Sequence, residues 1–348
     1  MLAMDFITTF VLATTFIFIG RRFAYKVSLL DQPDARKHHE GAIPLVGGIA
    51  ICLTLVYYLH FNSEILESAP LYMLCITVLT LVGALDDKYD VSYKLRMAIQ
   101  LGLSVAMMQY AELKLESLGN LLGFGDIHLG PFSYVVTVFA VVGAINAFNM
   151  VDGIDGLLGG LSLVTFSTLG FLLVMDGNHN LAYFCAIISV AMMPYILMNL
   201  GVMGRRRKVF MGDAGSMLIG FSVIWFILSA SQGEGATFIN PVTALWLIAV
   251  PLMDMATIMI RRIRKGHSPF KPDREHLHHI FQRLGMTRSQ TLATICLIAL
   301  AFAGVGILGE YMMVPEVIMF SLFMCSFAIY FSLVNFAGKR TSDESIAV

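Results

Sequence analysis

Long apolar runs separated by short segments rich in charge and glycine set the pattern of this chain. A membrane-crossing helix needs about 20 mostly apolar residues, with a working range of roughly 17–25. Eleven stretches meet or approach that length: 3–20, 45–61, 70–85, 96–111, 133–149, 157–175, 181–199, 215–231, 241–260, 291–309 and 315–336. The stretch 96–111 is the weakest, being short and interrupted by Gln100 and Gln109. No connecting segment is long enough to fold alone, so the pattern predicts one all-α, polytopic integral-membrane domain over residues 1–348. Residues 120–132, NLLGFGDIHLGPF, alternate apolar residues with Gly, Asp and Pro, which predicts a small β-hairpin.

The cations orient the spans. Eleven crossings with the N-terminus outside leave 21–44, 86–96, 200–214, 261–290 and the C-terminal tail on the inner side. Those segments hold every Lys and Arg of the 23 except Lys114. Cytoplasmic connections carry such an excess, so the N-terminus is expected to be periplasmic, the C-terminus cytoplasmic and the 120–132 hairpin periplasmic. The first run lacks a basic leader and an AxA-type cleavage site, and its charges, Arg21 and Arg22, follow it. It therefore reads as a first span and not as a signal peptide.

Composition sharpens this reading. The chain is 57% hydrophobic and 14% charged, against about 25% charged in soluble domains. The net charge of -1 adds little. Cys52, Cys75, Cys185, Cys296 and Cys325 lie in apolar runs without CxxC spacing, and are expected to be small buried hydrophobes with neither disulfides nor structural zinc.

Four polar clusters stand at span ends, all on the side assigned to the cytoplasm, where ionisable groups are costly and usually functional. Asp86-Asp87-Lys88-Tyr89-Asp90 closes the third span, and such hard oxygen donors suit Mg²⁺. Downstream, Lys94 and Arg96 could neutralise a phosphate. Asn146, Asn149, Asp152 and Asp155, interleaved with Gly153 and Gly156, add oxygen donors at a spacing of three. Arg205-Arg206-Arg207-Lys208 reads as a topogenic anchor. It precedes Phe210 and Gly212-Asp213-Ala-Gly-Ser216, which sets an acid and free N–H groups at a helix start. The loop 261–290 holds Arg261, Arg262, Arg264 and Lys265, then Asp273-Arg274-Glu275-His276-Leu-His278-His279. Three histidines without Cys or HExxH fit zinc poorly, and phosphate contact suits them better. Asp31, Asp34, Arg36, Lys37, His38 and His39 form a further basic loop, read alone as an anchor, while Asp254 reads as a bundle-facing structural residue. Acids for a divalent ion beside cations for phosphates, at a membrane surface, point to phosphoryl transfer between a lipid phosphate and a soluble nucleotide.

In ALDDKYD, NAFNMVDGIDGL, VFMGDAGS and DREHLHHIFQRLG, in that order, the chain resembles the polyprenyl-phosphate N-acetylhexosamine-1-phosphate transferases over nearly its whole length. The branch acting on UDP-MurNAc-pentapeptide typically carries TPTMGG and a compact HHH run. Here Ile43-Pro44-Leu45-Val46-Gly47-Gly48 and His276-Leu277-His278-His279 stand instead, which favours the branch using UDP-GlcNAc. The resemblance implies that Asp213 and Asn149 hold Mg²⁺, for which Mn²⁺ can substitute. It implies that Asp155 contacts uracil and Phe210 stacks on it, and that Lys94, Arg262, His276, His278 and His279 hold diphosphate or sugar. Asp86, Asp87, Asp152 and His279 become the catalytic candidates. The implied reaction moves GlcNAc-1-phosphate from UDP-GlcNAc to undecaprenyl phosphate in a bacterial inner membrane and begins a cell-surface polysaccharide. The implied partners are those two substrates and membrane lipid, with a homodimer left open and no nucleic acid. Two rivals remain: an aromatic prenyltransferase, which lacks a reason for the GDAGS and HxHH pair, and a transporter, whose acids would sit near the midplane.

Overall fold

The computed structural model describes residues 2–32, 41–232, 239–268 and 276–344, with side chains from residue 3 to 337. All eleven apolar stretches are helical, as α1 (Leu2–Val27), α2 (Gly47–Phe61), α3 (Ala69–Tyr89), α4 (Tyr93–Tyr110), α5 (Ser133–Met150), α6 (Leu157–Met175), α7 (His179–Asn199), α8 (Gly212–Ser231), the pair α9 (Pro241–Leu247) and α10 (Ala249–Arg264), α12 (Arg288–Tyr311) and α13 (Glu316–Glu344). A short α11 (Leu277–Arg283) lies between α10 and α12. Among the described residues, eight helices are long and apolar enough to cross a membrane, or nine if α9 and α10 form one span. These two meet at a bend of 81°, so the continuous helix expected over 241–260 is broken. The 15 residues of α2 are short for a bilayer, and α4 carries Lys94, Arg96, Gln100 and Gln109.

The hairpin expected at 120–132 forms only in outline. Leu118 N–H donates to Ile127 O, Ile127 N–H to Gly119 O and Leu129 N–H to Glu116 O, but only the Ser117–His128 bridge has strand geometry. Glycines at 119, 123 and 125, all with positive φ, turn the backbone out of a ladder. The strands among the described residues are instead β1 (Leu30–Asp31) and β2 (Ile43–Pro44), an antiparallel pair beside the start of α2.

The core is organised around α8, whose residues are almost all buried and which packs against α2, α3 and α5. Trp225 and Phe226 of α8 meet Tyr72 of α3, Phe226 also meets Phe184 of α7, Phe221 packs on Trp225, and the Tyr72 hydroxyl lies 2.7 Å from Ser222 Oγ. Lipid offers no hydrophobic drive between helices, so close backbone approach at small residues takes its place. A Cβ on Gly48 would lie 2.1 Å from Gly215 N, and one on Gly83 would lie 2.3 Å from Ala214 N. Those two approaches press the starts of α2 and the end of α3 against the first turn of α8.

The alternation of helices sorts the connections. At one end Gln232, after α8, accepts from the N–H groups of Glu116 and Ser117, Glu310 accepts from Asn240 and Thr243, and Tyr183 donates to Asp5. The charged motifs gather at the other end.

Candidate functional site

Asp86 and Asp87 occupy the last turn of α3, where the helix dipole disfavours carboxylates. The first turn of α8 supplies the compensation. Asp87 accepts from the N–H groups of Asp213 (2.8 Å) and Ala214 (3.3 Å), so it caps the positive end of α8 and fixes the backbone that carries Asp213. Arg96, from the start of α4, places one guanidinium nitrogen against both Asp86 Oδ2 and Asp213 Oδ2, the latter at 3.1 Å. Asn149, in the last turn of α5, donates to Asp213 Oδ1 (2.7 Å) and Ser216 Oγ (2.8 Å). The end of α3, the start of α4 and the end of α5 thus converge on Asp213. Asp90 stands apart, at positive φ and exposed after the helix end.

Beside this acidic centre lies a second group. Lys208 donates to Asp155 Oδ2 at 2.6 Å and holds its Nζ 5.2 Å from the Phe210 ring centre. Phe210 N–H donates to Pro44 O, and Gly47 N–H to Phe210 O, which ties this segment to the start of α2. Asn199 braces both sides, accepting from Gly156 N–H (2.6 Å) and donating to Val209 O (2.9 Å). Asp152 faces open space but has dense surroundings. Burial, then the charges of Asp213, Asp155 and Asp31, push its carboxyl up to about 7.

The histidines form the third group. His276 stacks parallel on His278, with ring centres 5.8 Å apart, and His278 meets His279 at 4.2 Å. A Cβ on Gly153 would stand 2.1 Å from His278 Nε2, so a bare glycine lets the imidazole rest on the 151–156 turn. His278 Nε2 is buried with no hydrogen-bond partner among the described residues. Burial, then the neighbouring His279 and His276, push its pKa down to about 3. Arg262 is buried on α10. An apolar cavity of about 300 Å³ runs between α5, α8, α9 and α10, lined by Gly143, Ala147, Ile224, Leu245, Pro251 and Met255 among others.

The structure therefore gathers Asp86, Asp87, Asn149, Asp152, Asp155, Phe210, Asp213, His276, His278 and His279 at one end of the bundle. Lys94 is exposed on the first turn of α4, and Arg96 is the residue that reaches the acids. Lys208, part of the expected anchor, is inside the site, and its one signal in the sequence is direct adjacency to the VFMGD segment. Asp34, Arg36, Lys37, His38, His39, Asp273, Arg274 and Glu275 lie outside the described residues.

A divalent ion fits the donors present. Two carboxylate oxygens, from Asp86 and Asp213, already converge on one positive nitrogen, and Asn149 adds an amide at the same carboxylate. Among the described residues no group of three His, Cys, Asp or Glu forms a closed cage. Mg²⁺ commonly binds through one or two carboxylates with water and substrate phosphates, so an open set is compatible with it.

Acids, cations and histidines converging at one end of a helical membrane protein suit a membrane-embedded transferase, and similarity to known proteins shows that class. Residues 69–231 match the family model described as glycosyl transferase family 4, and the chain belongs to that family. It is 50% identical over 336 residues to the undecaprenyl-phosphate alpha-N-acetylglucosaminyl 1-phosphate transferase of Salmonella typhi, covering 96% of this chain and 91% of that one. The protein of the same name from Escherichia coli K12 is 49% identical with the same coverage. That from Haemophilus influenzae is 44% identical over 334 residues, covering 96% and 94%.

Proposed function

We propose that this protein transfers GlcNAc-1-phosphate from UDP-GlcNAc to undecaprenyl phosphate, releasing UMP. The observation that carries the reading is the convergence of the Asp86, Asn149, Asp155, Asp213 and His276 motifs at one end of the bundle, in a chain half identical to enzymes of that name. A phosphate oxygen of the lipid attacks the sugar-proximal phosphorus. The bond from that phosphorus to the bridging oxygen breaks, and the electron pair leaves with UMP. The sugar C1–O bond is untouched, so its anomeric configuration is retained.

Asp213, with Asn149, would hold Mg²⁺, and Asp86 would add a second carboxylate. When bound, the ion neutralises charge that develops on the diphosphate. Arg96 supplies positive charge between the same acids. Asp155 and Phe210 receive the uracil, with Lys208 between them. Arg262, His276, His278 and His279 are assigned to the diphosphate and sugar, and the exposed Lys94 would reach them only from the rim of the site. A lipid phosphate monoester is mostly ionised near neutral pH, its second pKa being about 6. Asp86, Asp87, Asp152 or His279 therefore serves chiefly to orient the attacking oxygen. The apolar cavity beside Ala147 offers room for the start of the polyprenyl chain.

Counting α2, α4 and the bent α9–α10 pair as crossings gives eleven spans, a periplasmic N-terminus and a site facing the cytoplasm of the inner membrane, where nucleotide sugars reside. Incubating purified protein with undecaprenyl phosphate, Mg²⁺ and a panel of UDP-sugars tests the whole reading. UMP and a lipid-linked GlcNAc diphosphate are expected from UDP-GlcNAc. Release only from another UDP-sugar would move the protein to a different branch, and no release from any would refute the transferase reading.

A further inference from the structure

Asp254 sits on α10 with almost no exposure, one helix face shared with Arg262 eight residues on. An acid so placed in an apolar bundle is costly and needs donors. It has three. Oδ2 lies 2.8 Å from His276 Nδ1, while Oδ1 accepts from Leu277 N–H (3.0 Å) and from the Tyr330 hydroxyl of α13 (3.1 Å). Three donors aimed at two oxygens describe an acceptor-only carboxylate, which places the His276 proton on Nδ1. Nε2 is then the imidazole's remaining polar atom. The same ring lies within 7° of parallel to His278, and His278 rests on Gly153, so His276 is linked through His278 to the turn carrying Asp152 and Asp155.

We propose that Asp254 is a positioning residue for His276: its carboxylate holds the Nδ1–H form and the ring orientation that aim Nε2 at the diphosphate of the sugar nucleotide, and Tyr330 clamps that carboxylate from α13. The proposal rests on the reading that the His276–His279 segment meets the diphosphate. It replaces the bundle-facing structural role expected from sequence. Outer partners that orient a histidine through its second nitrogen typically change activity by 10–100-fold when removed, as is known for metal-ligating histidines.

A kinetic cycle tests it. Asp254→Asn keeps shape but offers the ring a donor, and kcat is expected to fall on the order of 100-fold. KM for undecaprenyl phosphate is expected to stay within about threefold, because the lipid does not touch this arm. In a His276→Ala background the same change is expected to cost less than about threefold more, since a residue acting through another is silent once that other is gone. Equal losses in both backgrounds would make Asp254 structural and overturn the proposal. If Asp254→Asn fails to insert, Tyr330→Phe is compared in the two backgrounds under the same criterion. A second readout needs no turnover. In ¹⁵N-histidine spectra, with His276 assigned by its loss in His276→Ala, protonated Nδ1 is expected in the wild type and a switch of tautomer in Asp254→Asn, or in Tyr330→Phe a weakened Nδ1–H signature. An unchanged tautomer overturns the proposal. A wild type that releases no UMP defeats the transferase reading alone, because the spectra still decide whether Asp254 holds His276.

Discussion

Asp213 is the residue on which the most contacts depend. Arg96 and Asn149 reach its two oxygens and Asp87 holds its N–H. Asp213→Ala is therefore expected to abolish UMP release while the protein still inserts and unfolds at a similar temperature, and near-normal turnover would remove it from the metal set. Chelation by EDTA is expected to stop the wild type, with Mg²⁺ or Mn²⁺ restoring it; full activity in chelator would defeat the metal assignment. Asp152 bears on pH. Its carboxyl, raised to about 7, ionises as pH climbs through neutrality. If the carboxylate orients the attacking oxygen, kcat gains a rising limb near pH 7 that the residual rate of Asp152→Asn lacks. His278 has the opposite shift, from 6.5 to about 3. The unfolded chain takes up a proton below pH 6.5 that the folded protein refuses, so this contribution is complete above 6.5 and is lost as pH falls toward 3. The slope from one such group is at most about 1.4 kcal/mol per pH unit. Thermal unfolding in detergent between pH 7 and 5 should show a shallower decline for His278→Gln than for the wild type, and equal slopes would contradict the buried neutral imidazole.

At the scale of elements, the site is a consequence of which helix ends are pressed together. The close passage of α3 over α8 at Gly83 brings the Asp86-Asp87 pair to the first turn of α8. Gly83→Ala would drive a methyl into the backbone of Ala214. Overpacking of this kind typically costs about 1–3 kcal/mol, and here it also moves Asp213. A lowered unfolding temperature together with a large loss of kcat is expected, and an unchanged melting curve would contradict the close approach. The apolar runs made the helices legible, since hydrophobic length is a strong signal, and even the weak 96–111 stretch is helical as α4. The bend between Leu247 and Ala249 was not legible, because hydropathy is blind to direction and Pro251 falls in an otherwise continuous run. The hairpin was overread, because alternation says nothing about the φ that Gly119, Gly123 and Gly125 adopt. Motif positions marked Asp86, Asn149, Asp155 and Asp213 as a set. The pairings of Arg96 with Asp213, Lys208 with Asp155 and His276 with Asp254 join residues 117, 53 and 22 positions apart, which spacing in one sequence cannot reveal.

For the whole molecule, the distribution of charge matters more than its sum. A net charge of -1 hides a chain whose cations, Lys114 excepted, fall in the segments that the positive-inside reading of the sequence assigns to one side. The described structure agrees with that sorting in one respect that can be measured. The 115–129 loop, with Phe124 almost fully exposed, lies at the end bound by Gln232, whereas Arg206, whose carbonyl accepts from Arg21, stands two residues before Lys208 of the Lys208–Asp155 pair at the other. A bilayer separates these ends if the spans cross it as proposed. In a background with the exposed Cys325 changed to Ser, Phe124→Cys should react with a membrane-impermeant maleimide on intact spheroplasts. Arg206→Cys should react only after the membrane is opened. The reverse labelling would put the Asp155 and Asp213 groups on the face without nucleotide sugars, and a transferase drawing on UDP-GlcNAc could not work from there. Labelling of both positions from one side would mean that α5, α6 and α7, the three helices between them, do not make an odd number of crossings, and it would overturn the proposed arrangement of spans.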